Sequence, residues 1–219
     1  MRIGIIGSGA VGSALLRRAR AAKLAAAVAN SRGPSSLARL GAQAGAAAGT
    51  VEEVAEVADM VVLAVPFGAV RDLPARAFDG RVVIDATNHL PERDGPAPEV
   101  EGGTTASSLL VAAHLSGARV VKAFNTLPAE QLERGARPAE DPERLGVPVA
   151  ADDEDAKALV SRLVDRLGFT PVDGGTLADS EDQEPGTPVF GAVATADEVR
   201  TLLHGGRGAQ SPHAPRAVR

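Results

Sequence analysis

The sequence of 219 residues contains no cysteine, no tryptophan and no tyrosine. Without cysteine the chain can form no disulfide, and it offers neither a thiol nucleophile nor a cysteine ligand for zinc. Without tyrosine it cannot hold the tyrosine–lysine acid pair of short-chain dehydrogenases. Because aromatic residues make up only 2% of the chain, a hydrophobic core must be built from aliphatic side chains.

An excess of basic residues is also missing, since the formal net charge is −5 at pH 7. An acidic chain of this kind does not attract nucleic acid or an anionic membrane, so we expect neither as a partner. No uncharged apolar run approaches the roughly 20 residues that cross a bilayer. The apolar run at residues 3–6 is too short for the hydrophobic region of a signal peptide. We therefore expect a cytoplasmic protein.

The strongest motif is a glycine-rich turn near the N-terminus. The apolar residues 3–6 read as a strand and lead directly into Gly7-Ser8-Gly9-Ala10-Val11-Gly12, and a helical stretch follows. In such a G-x-G-x-x-G turn the first glycine permits the tight turn, the second lets the backbone approach a pyrophosphate, and the third lets the helix pack close to its strand. The N-terminus of the helix adds free N–H groups and the positive end of its dipole. The pattern predicts a dinucleotide site; a purely structural turn is the alternative.

The end of the second predicted strand indicates which dinucleotide binds. Chains that bind NAD usually place an acidic residue about 20 residues after the glycines, where it accepts hydrogen bonds from the ribose. Here that place reads Asn30-Ser31-Arg32-Gly33-Pro34-Ser35-Ser36 and holds no carboxylate. Arg32 can form charge-assisted hydrogen bonds to a 2′-phosphate, and Ser31, Ser35 and Ser36 can add hydroxyl donors. We predict NADP(H) as the cofactor; a solvated arginine in a turn is the alternative.

Strand-like and helix-like segments alternate along the chain with short connections. The predicted strands cover residues 3–6, 24–29, 46–48, 60–65, 82–87 and 119–124. This alternation predicts an α/β fold, a Rossmann-type doubly wound parallel sheet with a small C-terminal α/β extension. We assign residues 1–146 to an NADP-binding domain and residues 147–204 to the extension, which would complete the site of the hydride acceptor. The composition of residues 205–219 cannot build a core and predicts a disordered tail.

The carboxyl ends of the predicted strands are further site candidates, because ligands of open α/β sheets bind outside those ends. Besides the two motifs above, we assign to the cofactor site Val65, Pro66, Phe67, Thr87, Asn88, Ala123 and Asn125. Asn88 and Asn125 would orient a carboxamide or a substrate carbonyl, or would instead stabilise their own loops. Phe67 would lie along the nicotinamide ribose or remain a core residue.

Several polar residues have two interpretations each. His89 lies near the presumed site, with either a functional or a structural role. Lys122 lies inside a predicted strand, as an edge-facing charge or as a group that reaches a phosphate. The acidic run 152–155 could hold a metal, but hydrophobic residues follow it at helical spacing, so an acidic helix N-terminus is the better interpretation. The four histidines are dispersed, and no metal site is predicted.

Taken together, the motifs resemble one known family. The glycine turn, residues 30–34 and the strand ends at 63–67, 84–88 and 121–126 look like those of the NADPH-dependent coenzyme F420 reductases, or F420H2:NADP+ oxidoreductases, over about residues 1–191. The resemblance implies NADP on the glycine turn and a 5-deazaflavin stacked on the nicotinamide at the carboxyl edge of the sheet. Hydride transfer between two cofactors depends on aligned rings rather than on an acid–base side chain, so no catalytic residue is predicted.

Two other functions stay open at this point. The chain could reduce another acceptor with NADPH, such as an imine, a carbonyl, a flavin or a ferric chelate. Imine and hydroxyacid enzymes with a similar first half carry long helical C-terminal domains, which this sequence lacks. The chain could also be a catalytically silent NADPH sensor, with the polar residues 174–191 as a docking loop. We consider a homodimer in which residues after Gly168 help to close one subunit's site.

Overall fold

The computed structural model describes residues 1–209 and shows an α/β fold. Its strands are β1 (Arg2–Ile6), β2 (Ala25–Ala29), β3 (Ala47–Ala48), β4 (Met60–Leu63), β5 (Val82–Asp85), β6 (Arg119–Lys122), β7 (Gly146–Val149) and β8 (Thr170–Asp173). Its α-helices are α1 (Ala10–Ala21), α2 (Ala38–Ala44), α3 (Val51–Val57), α4 (Pro91–Asp94), α5 (Pro98–Glu101), α6 (Ser107–His114), α7 (Ala129–Arg134), α8 (Glu154–Arg166) and α9 (Ala196–Ala209). The predicted alternation of strands and helices is confirmed.

The first six strands form one parallel sheet in the order β3-β2-β1-β4-β5-β6. The strand order reverses between β1 and β4, and in doubly wound sheets this is the point where ligands bind. The predicted Rossmann-type sheet is therefore confirmed. Strands β7 and β8 pair in parallel, and an antiparallel bridge between Lys122 and Ala150 joins this pair to the edge of the large sheet.

Helices cover both faces of the sheet, because side chains alternate along each strand. Ile3 and Ile5 face the core that includes α1 and α8, whereas Ile6 faces the core that includes α3 and α6. The first of these cores contains Val121 and Val147 together, so the extension packs directly on the sheet. The division of the chain at residue 146 stays a prediction.

The sequence predicts a capping box at Thr50-Val51-Glu52-Glu53 and a helix start at the acidic run 152–155, and both helices begin with side-chain caps. The Thr50 hydroxyl accepts a hydrogen bond from the Glu53 N–H at 3.2 Å, and the Glu53 carboxylate accepts one from the Thr50 N–H at 2.8 Å, which forms a capping box. The Asp153 carboxylate caps α8 through the Ala156 N–H at 2.9 Å and binds Arg119 at 2.6 and 2.7 Å. The hydrogen bond from Arg119 is the main cause that holds the pKa of Asp153 below its ordinary value, and the bond from the Ala156 N–H adds to it. The acidic run therefore begins a helix, as predicted.

Two segments differ from the prediction. After β4 the sequence predicts a helix through Val70 and Leu73, but the structure has a short 3-10 helix, Phe67–Asp72, because Pro66 and Pro74 bracket it and prolines interrupt helical hydrogen bonding. Helix α9 includes residues 205–209, which were predicted to belong to the disordered tail, since a helix anchored by packed residues propagates at low cost. Residues 210–219 of that predicted tail lie outside the described residues. No helix within residues 1–209 has the length and apolar character needed to cross a bilayer.

A buried ion pair joins β5 to β6 at their carboxyl ends. The Lys122 Nζ lies 3.0 Å from Asp85 Oδ2 and donates to the Thr87 carbonyl at 2.8 Å, and both charged side chains are 0% exposed. The Asp85 carboxylate also accepts from the hydroxyls of Thr87 and Ser108, each at 2.6 Å. Burial alone would raise the pKa of Asp85, but Lys122 and the two hydroxyls outweigh it and lower this pKa. Lys122 is thus neither an edge-facing charge nor a phosphate ligand, and both interpretations from the sequence were wrong.

We expect Lys122→Met to lower the free energy of unfolding by about 3–5 kcal/mol, because it leaves the buried Asp85 charge unpaired. The double variant Asp85→Asn/Lys122→Met removes that charge and should recover part of the loss. Urea unfolding of the wild type, both single variants and the double variant measures the coupling between the two sites. Strictly additive losses would contradict a role for the ion pair.

Candidate functional site

A cavity of about 480 Å³ lies at the point where the strand order reverses. Its walls come from the glycine turn after β1, the loop after β2, Val51 at the start of α3, and residues 64–74 after β4. These elements meet because β1 is paired with β2 on one side and with β4 on the other. The sequence placed the glycine turn and the loop after β2 in one site, and the structure brings them together.

The three glycines of the turn differ in what they do. Gly7 has a φ of +116°, and a Cβ there would lie 2.2 Å from the Ala64 carbonyl oxygen. A Cβ on Gly12 would lie 2.1 Å from the Gly7 carbonyl oxygen. By contrast, a Cβ on Gly9 would meet nothing within 4 Å, and Gly9 has a φ of −73° that any residue adopts. The fold requires glycine at positions 7 and 12, whereas Gly9 keeps open a space beside the N-terminus of α1.

A polar network surrounds this open space. The Asn30 Nδ2 donates to the hydroxyls of Ser8 and Ser36, each at 3.0 Å, and the Asn30 Oδ1 accepts from the Arg32 N–H at 3.0 Å. The Arg32 guanidinium reaches back to the Ser8 hydroxyl at 3.3 Å. Within residues 1–209 it forms no ion pair. Arg32 is therefore an exposed cation without an acidic partner, at the edge of the cavity.

Not every predicted contact residue lines this cavity. Val65 and Pro66 do, together with Ser31. Ser36 joins the polar network but lies outside the cavity wall, as does Ser35. The predicted residues Ala10 and Val11 form the first turn of α1 next to it.

The residues after β5 and β6 bind each other. The Asn88 Nδ2 donates to the Asn125 carbonyl at 3.0 Å, and the Asn125 Nδ2 donates to Asn88 Oδ1 at 3.1 Å and to the Gln183 carbonyl at 2.8 Å. The Thr87 hydroxyl donates a hydrogen bond to the Asp85 carboxylate, and Ala123 is 0% exposed. These four predicted contact residues brace the carboxyl edge of the sheet, and direct contact with a cofactor stays a prediction for them.

Phe124 is a feature that sequence reasoning missed. Its φ is 65°, in the left-handed region that a bulky side chain rarely adopts, and its ring is fully buried. The strained residue directly precedes Asn125, so the turn after β6 aims the Asn125 amide at its partners. No local sequence signal identifies such a position, because the conformation depends on the packing of the ring.

The polar segment 174–191 packs against the same edge. It contains a 3-10 helix, Ala178–Gln183, in which Ser180 and Gln183 are buried. Farther along, the Gly191 N–H donates to the Thr126 carbonyl at 2.8 Å. This segment therefore contacts the turn after β6 on its own chain, which leaves its inner side unavailable to a docking partner.

A second cavity, of about 220 Å³, lies on the other side of the 3-10 helix Phe67–Asp72. Phe67, which was predicted to contact the cofactor, lines this cavity instead of the first one. The His89 and Phe67 rings meet edge to face, with centroids 5.4 Å apart. His114 also lines it, and its Nε2 lies 3.1 Å from the Leu73 carbonyl oxygen.

The comparisons with known proteins relate residues 2–89 to one family and most of the chain to known structures. A family described as NADP oxidoreductase coenzyme F420-dependent matches residues 2–89. The hypothetical protein SMa0349 from Sinorhizobium meliloti is 37% identical, with 88% of this chain and 94% of that chain aligned and a TM-score of 0.77. A provisionally named F420-dependent NADP reductase from Arthrobacter sp. FB24 is 24% identical over 83% of this chain and 87% of its own, with a TM-score of 0.67. An imine reductase from Pseudomonas sp. is 16% identical over 95% of this chain and 62% of its own, with a TM-score of 0.57, and shares the fold.

We expect Gly9→Val to abolish dinucleotide binding with only a small loss of stability, because the new side chain fills the space beside the helix N-terminus. The loss of stability should be about 1 kcal/mol, as valine is a poorer N-cap than glycine. Gly12→Ala is the matched control: its Cβ meets the Gly7 carbonyl, so it should lower stability more than Gly9→Val does. Nucleotide titration measures the affinity of both variants, and urea unfolding measures their stability. Retained affinity in Gly9→Val would contradict the placement of the site.

Proposed function

The chain belongs to the family described as NADP oxidoreductase coenzyme F420-dependent, and on this premise we propose that it transfers hydride between NADP(H) and the deazaflavin coenzyme F420. The observation that carries the proposal is the open space at Gly9, bordered by the N-terminus of α1 and by the unpaired Arg32. A dinucleotide pyrophosphate and a nearby phosphate match that combination of backbone N–H groups and positive charge.

The first step of the proposed mechanism is binding of the pyrophosphate. The free N–H groups at the start of α1 and the positive end of its dipole stabilise the negative charge. Helix α1 has no acidic residue in its first turn, so nothing there opposes an anion. Gly9 permits the close approach, because no side chain occupies the space above the turn.

The second step is recognition of the 2′-phosphate. Arg32 would form charge-assisted hydrogen bonds to the phosphate oxygens, assisted by the Ser31 hydroxyl on the same wall. The loop after β2 carries no carboxylate that would repel this group. Asn30, held between Ser8 and Ser36, keeps the loop in place next to the glycine turn. These features favour NADP(H) over NAD(H).

The remaining residues would orient the reacting rings. The bound nicotinamide supplies or accepts the hydride at its C4. Val65 and Pro66 form the wall along which the nicotinamide half of the cofactor would extend from the glycine turn toward β5. The bonded pair Asn88 and Asn125 keeps the loops after β5 and β6 at fixed positions, and alignment of two rings by such fixed elements can supply most of the rate.

The C-terminal extension would complete the site of the acceptor. Residues 178–191 contact the turn after β6 through Asn125 and Thr126, at the edge where the nicotinamide would end. Both reactants are cofactors that carry the redox chemistry themselves, so the protein need only bind them, exclude water and hold them together. The carboxyl edge, where the amides of Asn88 and Asn125 bind each other, would serve to hold the two cofactors in place rather than to transfer protons.

We expect Arg32→Ala to raise KM for NADPH by about 10- to 100-fold, because a lost charge-assisted bond costs roughly 1.5–3 kcal/mol. KM for NADH should change little, since NADH lacks the 2′-phosphate. Arg39→Ala is the matched control, because Arg39 is an exposed arginine on the adjacent α2 outside the cavity. Steady-state kinetics of the wild type and both variants measure KM for NADPH and for NADH. Equal effects of Arg32→Ala on both would refute a contact with the 2′-phosphate.

The acceptor is tested by mixing the protein with NADPH and oxidised F420 and following absorbance at 420 nm. We expect the absorbance to fall at a rate proportional to protein concentration, and the Gly9→Val variant to show no such change. Flavins, ferric chelates, a cyclic imine and a small ketone are tested in parallel by NADPH oxidation at 340 nm. If NADPH binds but F420 is not reduced, the deazaflavin assignment fails.

A further inference from the structure

The second cavity is lined by residues other than those that line the dinucleotide site. The 3-10 helix Phe67–Asp72 separates the two, with Ala69 and Asp72 on the nucleotide side and Val70 and Arg71 on the other. The remaining walls come from the loop after β5, from residues 94–97 and from the C-terminal half of α6. A ligand in the second cavity would therefore not overlap a dinucleotide in the first.

The inner walls of the second cavity are apolar. Phe67, Val70, Leu110 and Val111 line it, together with Pro96. An apolar protein cavity of about 150 Å³ is large enough to hold one benzene ring. At about 220 Å³, this cavity has room for a single ring that bears one small substituent.

Arg71 supplies a positive charge at the rim. It is exposed and forms no ion pair within the part of the chain that the structure describes. An acid in the same wall, Asp94, is already engaged: it accepts from the N–H groups of Gly68 at 3.2 Å and Leu90 at 2.9 Å, and it pairs with Arg93 at 2.8 Å. Burial would raise the pKa of Asp94, but these bonds lower it to about 2. Arg71 is thus free to bind an anion.

His89 supplies an unpaired acceptor. Its side chain is 4% exposed, and its Nε2 lies 3.2 Å from Glu101 Oε1. The N–H of Ala97 and the His89 ring lower the pKa of Glu101, so the carboxylate is ionised and accepts from the Nε2–H. In the neutral ring this leaves Nδ1 as an acceptor, and Nδ1 is buried without a partner among residues 1–209. A buried acceptor without a donor is costly, and His89 lines the cavity, so a ligand whose hydroxyl or N–H reaches this edge of the ring would be stabilised there.

We propose that this second cavity binds a small carboxylic acid whose apolar body is the size of one ring and which carries a hydroxyl or N–H group. The carboxylate pairs with Arg71, the ring packs on Phe67 and the residues of α6, and the hydroxyl or N–H donates to His89 Nδ1. The site is separate from the dinucleotide cavity, and the acid and NADP+ occupy the protein together. The proposal stands whether or not F420 is the hydride acceptor.

Titration calorimetry with the full-length chain, saturated with NADP+, tests the carboxylate contact. Benzoate is the probe, benzamide is its neutral counterpart, and acetate carries the charge without the ring. We expect benzoate to bind about tenfold more tightly than benzamide or acetate. Arg71→Met should abolish the preference for benzoate over benzamide, whereas Arg76→Met, at an exposed arginine outside both cavities, should leave it unchanged.

The isomeric hydroxybenzoates test the contact to His89. At least one isomer should bind about fivefold or more tightly than benzoate, because its hydroxyl donates to the open Nδ1. His89→Gln keeps a nitrogen in the place of Nε2 for Glu101 but removes Nδ1, so it should lose this gain while still binding benzoate. Nucleotide titration of each variant verifies that it is folded.

Three results would overturn the proposal. Equal binding of benzoate and benzamide would remove the case for the anion contact, and an unchanged preference in Arg71→Met would exclude that residue. Displacement of benzoate by NADP+ in a competitive manner would place the probe at Arg32 in the dinucleotide cavity instead. Loss of NADPH oxidation with all acceptors would bear on the hydride-transfer proposal alone and not on this site.

Discussion

The carboxyl edge of the sheet depends on the ion pair between Lys122 and Asp85. Because an unpaired charge in a dry interior costs several kcal/mol, the two strands that carry these residues must stay in register. The same carboxylate holds Thr87 and Ser108, so the loop after β5 and the start of α6 are tied to the pair. Hydrogen bonds between Asn88 and Asn125, and from Asn125 to the Gln183 carbonyl, connect this edge to the C-terminal segment 174–191.

Two cavities share the short 3-10 helix Phe67–Asp72 as a wall. Pro66 before it and Pro74 after it leave no room for a longer helix, and this brings the segment close to the end of β4. One side of it borders the dinucleotide cavity, and the other borders the cavity with Arg71 and His89.

Local chemistry explains which predictions from the sequence were confirmed. The capping box at Thr50 and the N-cap at Asp153 each involve residues three positions apart, and the apolar run of β4 encodes its own burial. The parallel sheet follows from the alternation of such elements with short connections. Gly7, Ser8 and Gly9 of the glycine turn line one cavity together with the loop after β2, because a βαβ unit places those two loops side by side.

By itself the sequence determined the fold class, the starts of α3 and α8, and the family, since each depends on residues within one motif or on motifs in a set order. The tertiary structure decided the roles of Lys122, Phe67 and Phe124. Lys122 and Asp85 are 37 residues apart, and only strand pairing shows that they meet. A 3-10 helix repeats every three residues, so Ala69 and Asp72 face the same cavity as Pro66, whereas Phe67 faces the other. The positive φ of Phe124 accompanies a ring that is buried only in the folded chain.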